Sequence, residues 1–312
     1  MSVQDKKLFT SLRENTIFGI KFSFSAASKS YLAPRFSRFL NKYLYHLGLA
    51  SSLNRYDNSL TLYSSFSDRK LYSKYAAKDK FINFGSGAFF HSKWKNYDYP
   101  GQSAYYKVIQ GKQGKDFHSI DLCDEKLVIP ENDDSVALIY CSHTLEHLDS
   151  ASSLRFIKEC HRILKKGGVL RLALPNTKNA FYLLRCVMKN EAKLDAMIKN
   201  YIQDTALHVL TDTKNLNFDD VVDALRESAF DSYKFYNDMI EKYPQFADFD
   251  GRNPERHINY WDFDRLVDVM NLAGFEFTIP TYQGSSIAAP FRNLHVFDTS
   301  EPHITFYADI IK

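Results

Sequence analysis

The sequence predicts an α/β fold on a doubly wound, mostly parallel seven-stranded sheet, with a helical N-terminal extension and a helical cap insert. Three observations predict it. Between residues 80 and 175 short apolar runs alternate with segments of helical period. The first of those runs breaks into Gly85-Ser86-Gly87, and the later ones end in Asp98, Asp121 and Cys141-Ser142-His143. Alternation of this kind implies parallel strands joined by right-handed crossovers.

Taken in order, residues 1–79 form a basic, aromatic-rich extension. Residues 1–80 hold 14 Lys/Arg against 5 Asp/Glu, a net +9 that leaves −6 on the remainder of a +3 chain. A basic arm on an acidic body suits an anionic partner such as a membrane surface. Within it, residues 36–48 place Phe36, Phe39, Leu40, Tyr43 and Leu47 on one helical face. The main domain, 80–312, opens with strand signals at Phe81–Phe84, Trp94–Tyr97 and His118–Asp121. A fully apolar run at Val136–Cys141 reads as a strand buried on both faces. Leu154–Leu164 has helical period and stops at Lys165-Lys166-Gly167-Gly168. Val169–Leu174 is the fifth strand. A polar helical insert at about 180–256 resembles a cap. Trp261–Ala273 is a helix with Asp262 as N-cap and Gly274 at its end. Strands around Phe275–Ile279 and Ile304–Ile311 complete the seven.

The composition, 45% hydrophobic and 25% charged, is that of an ordinary globular protein. No apolar run reaches the roughly 18 residues of a membrane span. Arg13, Glu14 and Lys21 interrupt any leader-like apolar stretch. The four cysteines, Cys123, Cys141, Cys160 and Cys186, show no metal-like pairing. Free thiols and a cytoplasmic setting, peripheral to a membrane through the basic arm, are expected.

In a doubly wound sheet the ligand lies beyond the carboxyl ends of the strands. Gly85, Ser86 and Gly87 there offer backbone N–H groups and close approach. Asp98 can accept from two ribose hydroxyls. Asp121 can accept from an adenine amino group while Leu122 covers the ring. Cys141 and Ser142 lie where the remaining arm of such a ligand must pass.

These motifs resemble those of class I S-adenosylmethionine-dependent methyltransferases of the type 11 branch. Phe81–Gly87 is similar to the glycine-rich first motif. Asp116–Leu148, with Ile120-Asp121-Leu122 and His143-Thr144-Leu145-Glu146-His147-Leu148, is similar to the family's run from the adenine loop through "HxLEHL". Glu159–Gly168 resembles its "E-x-x-R-x-L-K-x-G-G" helix. Two departures stand out: Ala88-Phe89-Phe90 replaces the usual third glycine, and a compressed first helix is left between Gly87 and Asp98. Trp94–Asp98 resembles a "GWxNxD" variant found in a subgroup often associated with surface-polysaccharide biosynthesis.

The resemblance implies a Rossmann-like methyltransferase fold with S-adenosyl-L-methionine as cofactor. Methyl transfer is an in-line displacement that needs alignment and exclusion of water. An alcohol acceptor also benefits from a general base. His143 is the first candidate, followed by His147 with Glu146, and by His257 entering over the acceptor. His143 and His147 are four apart but begin at a strand end and turn, so no metal is expected from that spacing. The expected reaction is O-methylation of a sugar or glycan precursor. Alternatives are a small metabolite, nucleic acid, or a non-catalytic scaffold in glycan assembly. Nucleic acid is disfavoured because no Asn-Pro-Pro-Tyr-like motif follows the fourth strand.

Overall fold

The computed structural model describes residues 16–17, 20–21, 71–101, 103–190, 257–293, 296–300 and 304–312, with positions 223, 224, 226–228, 231, 234, 235 and 238. The amphipathic helix expected at 36–48 lies outside the described residues, as does most of the expected cap insert. The chain divides into two compact units, Met1–Ala76 with Gly284–Phe297, and Ala77–Gln283 with Asp298–Lys312. In the first unit, β1 (Thr16–Ile17) and β2 (Ile20–Lys21) pair antiparallel. A 3-10 turn at Ala289–Arg292 sets Phe291 edge-on to Phe297, ring centroids 5.3 Å apart.

The second unit holds the sheet. Its strands are β3 (Lys80–Phe84), β4 (Trp94–Asp98), β5 (Phe117–Ser119), β6 (Val136–Ser142), β7 (Leu164–Pro175), β8 (Phe277–Thr281) and β9 (Thr305–Ile311). The order across the sheet is β5-β4-β3-β6-β7-β9-β8. Neighbours from β5 through β7 are parallel, and β9 runs antiparallel to both β7 and β8. The predicted α/β class is therefore the observed one. β3 and β6 are buried along almost their whole length, which is why β6 reads as an unbroken apolar run and β3 as one broken only by Asn83 after its first residue.

Helix α1 (Ala104–Gln113) begins at Ser103, whose side chain accepts from Tyr106 N. Helix α2 (Ser150–Ile163) is longer than the predicted Leu154–Leu164, because Asp149 caps it by accepting from Ser152 N at 2.8 Å. Its inner stripe of Phe156, Ile157, Cys160 and Ile163 is fully buried, and the Phe156 ring meets Phe84 edge-on at 5.0 Å. The Lys165–Gly168 segment, predicted as the helix stop, already belongs to β7. Helix α3 (Thr177–Asn190) follows that strand. Helix α4 (Phe263–Ala273) has the expected cap at Asp262, and Gly274 ends it with φ of +99°.

The Glu159/Arg162 pair of the family-like helix braces the loop before β6. Arg162 makes two bonds to Glu159, at 2.8 and 2.7 Å, and reaches Asp133 and the carbonyls of Ile129 and Glu131. Beneath the sheet's first strands, buried Glu131 accepts from Lys80 at 2.6 Å, Lys95 at 2.8 Å and the Tyr97 hydroxyl at 3.1 Å. Two strands, β3 and β4, are thus tied to one carboxylate of the loop before β6.

One expectation fails. No helix stands between β3 and β4; residues 85–93 cross over as turns. Parallel strands usually need a crossover of a dozen residues or more, so a segment this short has no room for one. No helix among the described residues is long and apolar enough to cross a membrane.

Candidate active site

Strand order reverses between β3 and β6, and a cavity of about 130 Å³ opens beyond their carboxyl ends. Its walls come from the β3 turn (Gly85, Gly87), the end of β4 (Asp98, Tyr99) and α1 (Tyr106). The other side is the segment after β5 (Ile120 to Cys123) and the turn after β6 (His143, Thr144, His147, Leu148).

Gly85 has φ of +62°, and a Cβ there would lie 1.9 Å from Thr144 Oγ1. No side chain fits without displacing the β6 turn. Gly87, at φ of +47°, donates its N–H to Asp98 Oδ2 at 2.8 Å, while Tyr99 N donates to Oδ1 at 2.8 Å. Asp98 therefore fastens the glycine turn to β4. The Ser86 hydroxyl, 3.5 Å from Oδ2, is a third contact on the same carboxylate. Gln113 supplies a second fastening, its Nε2 donating to the carbonyls of Gly87 at 3.2 Å and Phe89 at 2.6 Å. That side chain, at the far end of α1, holds the turn in the place where the crossover helix is missing.

Across the cavity Asp121 is exposed and accepts from Cys123 N at 2.8 Å, and Leu122 beside it is buried. The Cys123 thiol is pushed up to about 12, chiefly by burial and then by the charges of Asp121 and Asp149. Three predicted cofactor residues lie off the cavity wall. Ser86 is buried with its hydroxyl 3.5 Å from Asp98. Cys141 has no exposed surface, belongs to the hydrophobic core, and has a thiol raised to about 12 by burial. Ser142 turns its carbonyl to the Thr144 hydroxyl at 3.1 Å. The strand's inward alternation sends the Cys141 side chain into the core, where it packs rather than meeting a ligand.

The β6 turn is built around His143, whose φ of +48° is unusual for a residue with a Cβ. Its N–H bonds the Ala173 carbonyl of β7 at 2.9 Å, and its Nε2 lies 3.2 Å from Thr305 Oγ1 at the start of β9. Its Nδ1 lies 3.1 Å from Glu146 Oε1. His147 Nε2 is 4.0 Å from the same oxygen, and the His147 and His257 rings stand 5.0 Å apart, edge to face.

Glu146 is the centre of this group. Its side chain is 1% exposed, and neither carboxylate oxygen has a partner in hydrogen-bonding geometry, although His143 Nδ1 lies 3.1 Å from Oε1. Burial works to raise its pKa; the neighbouring His143, then His147 and His257, outweigh burial and hold it at about 2. The backbone explains how His257 arrives. The Glu146 carbonyl accepts from Ile258 N at 2.8 Å and Asn259 N at 3.1 Å, and Asn259 Nδ2 donates to the Leu148 carbonyl at 2.9 Å. The structure thus brings His143, His147 and His257 together about one carboxylate. Thr144, Tyr106 and Gln113, which sequence reading did not single out, complete the cavity and its support. Only their three-dimensional neighbours distinguish them from ordinary polar residues.

Glycines at a strand end, a carboxylate on the next strand and an acid beside an apolar cover line this cavity at the switch point, the place where doubly wound sheets bind their ligands. Residues 101–172 match the model of a family described as "Methyltransferase domain". That segment, which runs from α1 into β7 and carries Asp121, His143 and His147, is methyltransferase-like. No curated protein matches the chain. Among solved structures it is similar to a methyltransferase from Thermotoga maritima described as a possible histamine N-methyltransferase. That likeness has 16% identity over 89% of this chain and 98% of the other, at a TM-score of 0.37. An S-adenosylmethionine-dependent methyltransferase from Mesorhizobium loti has 11% identity, covering 78% and 96% of the two chains at a TM-score of 0.38. One from Archaeoglobus fulgidus has 11% identity, covering 78% and 91% at 0.37. Likenesses at these scores carry no argument about this chain.

Proposed function

We propose that the protein methylates a hydroxyl group and that the acceptor is a sugar or glycan precursor. The observation that supports the hydroxyl is Glu146, a buried carboxylate among three imidazoles, two of which line the cofactor cavity. An amine acceptor needs only desolvation, whereas an alcohol must lose a proton as it reacts. When bound, S-adenosylmethionine supplies a methyl group already activated on a sulfonium. Gly85, Gly87 and Asp98 would hold its ribose side, and Asp121 with Leu122 its adenine.

His143 is the base in this reading. The Glu146 carboxylate lies 3.1 Å from Nδ1, which leaves Nε2 as the nitrogen to act as base. Nε2 is the atom that faces the buried Thr305 hydroxyl at 3.2 Å, so the acceptor hydroxyl would take that place for its proton to reach the ring. The left-handed backbone at His143 and its bond to Ala173 fix the ring's position before any acceptor arrives. The carbohydrate class rests on the resemblance of Trp94–Asp98 to the polysaccharide-associated subgroup. We assign the basic arm to an anionic membrane surface in a cytoplasmic setting, on charge alone.

The test is release of S-adenosylhomocysteine with nucleotide-linked sugars, set beside matched amino sugars and simple amines. Hydroxyl acceptors are expected to turn over. His143→Ala is expected to lower kcat by about 10²–10⁴ with KM little changed. Turnover of amines alone, or a His143→Ala enzyme as fast as wild type, would refute the reading.

A further inference from the structure

We propose that Glu146, His147 and His257 bind a divalent transition-metal ion beside the cofactor cavity. Each offers one donor atom, and the three donors lie within 4.8 Å of one another. Ligands about 2.1 Å from a metal at tetrahedral angles stand roughly 3.4 Å apart, so the donors need to draw in by about 1 Å.

Two further observations point to a ligand here. The Glu146 carboxylate is 99% buried and unmatched by any hydrogen bond. A buried carboxylate in that state is found paired with cations or coordinating a metal. The supporting frame is also built: the backbone bonds from Ile258 and Asn259 to Glu146, and that from Asn259 Nδ2 to Leu148, bring two distant chain segments into register. They hold His257 opposite His147 whether or not a metal is present.

Two imidazoles and one carboxylate suit zinc, cobalt, iron or manganese better than calcium or magnesium, which prefer all-oxygen sets. Three protein ligands leave at least one position open. On the hydroxyl-acceptor reading, on which this role rests, the open position takes the acceptor oxygen. A metal held there would act as a Lewis acid toward that oxygen. His143, whose Nδ1 is 3.1 Å from the same carboxylate and whose Nε2 faces Thr305, remains outside the ligand set. The alternative occupant of the cluster is protons alone, with imidazolium charge balancing Glu146.

The experiment uses the full chain, stripped with chelator and titrated with Co²⁺ while its visible bands are recorded. One equivalent is expected to bind, and Zn²⁺ is expected to displace it. His257→Ala and His257→Gln are each expected to weaken Co²⁺ binding by on the order of tenfold or more. Both are expected to keep wild-type affinity for S-adenosylhomocysteine by calorimetry, because His257 lies off the cavity wall. The glutamine variant preserves bulk if the alanine does not fold. Absence of Co²⁺ binding by protein that binds S-adenosylhomocysteine overturns the site, as does Co²⁺ binding that survives both variants. Metal-free protein that methylates a hydroxyl overturns the metal and leaves the acceptor reading standing. Co²⁺ bound through His257 with no hydroxyl methylated supports the metal and overturns that reading.

Discussion

Replacing Arg171 with methionine should destabilise the sheet unit by about 3–5 kcal/mol, because it leaves two carboxylates buried without their cation. Arg171 in β7 and its partners Asp298 and Asp309 have no exposed side-chain surface. The guanidinium reaches Asp298 at 2.5 and 3.3 Å, Asp309 at 3.0 Å and the Tyr282 carbonyl at 2.9 Å, and it also bonds the Thr281 hydroxyl. One side chain therefore joins β7, β8, β9 and the turn at Asp298. The last of these has a left-handed backbone, with φ of +52°, and donates its N–H to the buried Tyr140 hydroxyl of β6. A penalty of that size is a large part of the 5–15 kcal/mol that holds a typical domain folded.

The assay is urea unfolding followed by tryptophan fluorescence. The chain has two tryptophans, Trp94 and Trp261, both 1% exposed and both in the sheet unit, so the signal reports that unit alone. With a slope of about 2–3 kcal/mol per molar urea, the midpoint should fall by roughly 1.5 M. The electrostatic cause is separable from lost packing. The triple variant Arg171→Met, Asp298→Asn, Asp309→Leu removes the stranded charges and should recover at least about 2 kcal/mol of the loss. A single variant within about 1 kcal/mol of wild type would refute the argument. So would a triple variant no better than the single one.

The other predictions concern the cavity and its supports. Gly85→Ala should impair both stability and S-adenosylhomocysteine binding, since its φ of +62° alone costs about 1–2 kcal/mol and its Cβ meets Thr144. Adding Thr144→Ala should restore part of the melting temperature, and no restoration would point away from the clash. Asp98→Ala removes the acceptor of two backbone N–H groups, and calorimetry should show roughly 10–100-fold weaker S-adenosylhomocysteine binding. Unchanged affinity would remove Asp98 from the cofactor site. Glu131 supplies a pH test. Burial disfavours its charge, but the bonds and charges of Lys80 and Lys95 prevail and lower its pKa below 4.5. Its stabilisation is therefore complete above 4.5 and is lost as pH falls through the lowered value. The stability difference between wild type and Glu131→Gln should shrink on acidification below 4.5, and a difference that stays constant contradicts the linkage.

Much of the sheet was legible because buried parallel strands need uninterrupted apolar residues, as at Val136–Cys141. Helix α4 was legible because Asp262 and Gly274 carry their capping roles in the residue type itself. The missing crossover helix was not. Residues 88–93 hold helix-compatible residues, but Gly85 and Gly87 before them take positive φ and the whole crossover is given over to turns. The substitute, Gln113, is invisible in sequence because a glutamine ending an amphipathic helix ordinarily faces water, whereas this one is 4% exposed and bonds two carbonyls of the glycine turn. Cys141 illustrates the opposite error. Its place at the end of a strand suggested the cavity, but side chains alternate along a strand, and its parity sends it to the core.

The His143–Leu148 stretch shows most clearly what spacing can and cannot decide. The two histidines are four positions apart, and a continuous helix would set them on one face. The left-handed turn at His143 and the 3-10 turn at Leu145–His147 part them instead. His143 is drawn to Thr305 and the strands β7 and β9, while His147 meets His257, which lies more than a hundred residues further along the chain. Glu146, between them in sequence, is the group both still face. A single five-residue stretch can therefore supply a base on one side and a metal ligand on the other without the two competing for the same position. Each role then depends on a different anchor: Thr305 and Ala173 for the base, Ile258 and Asn259 for the ligand. Disturbing one anchor should leave the other function in place, which a shared helical face would not permit.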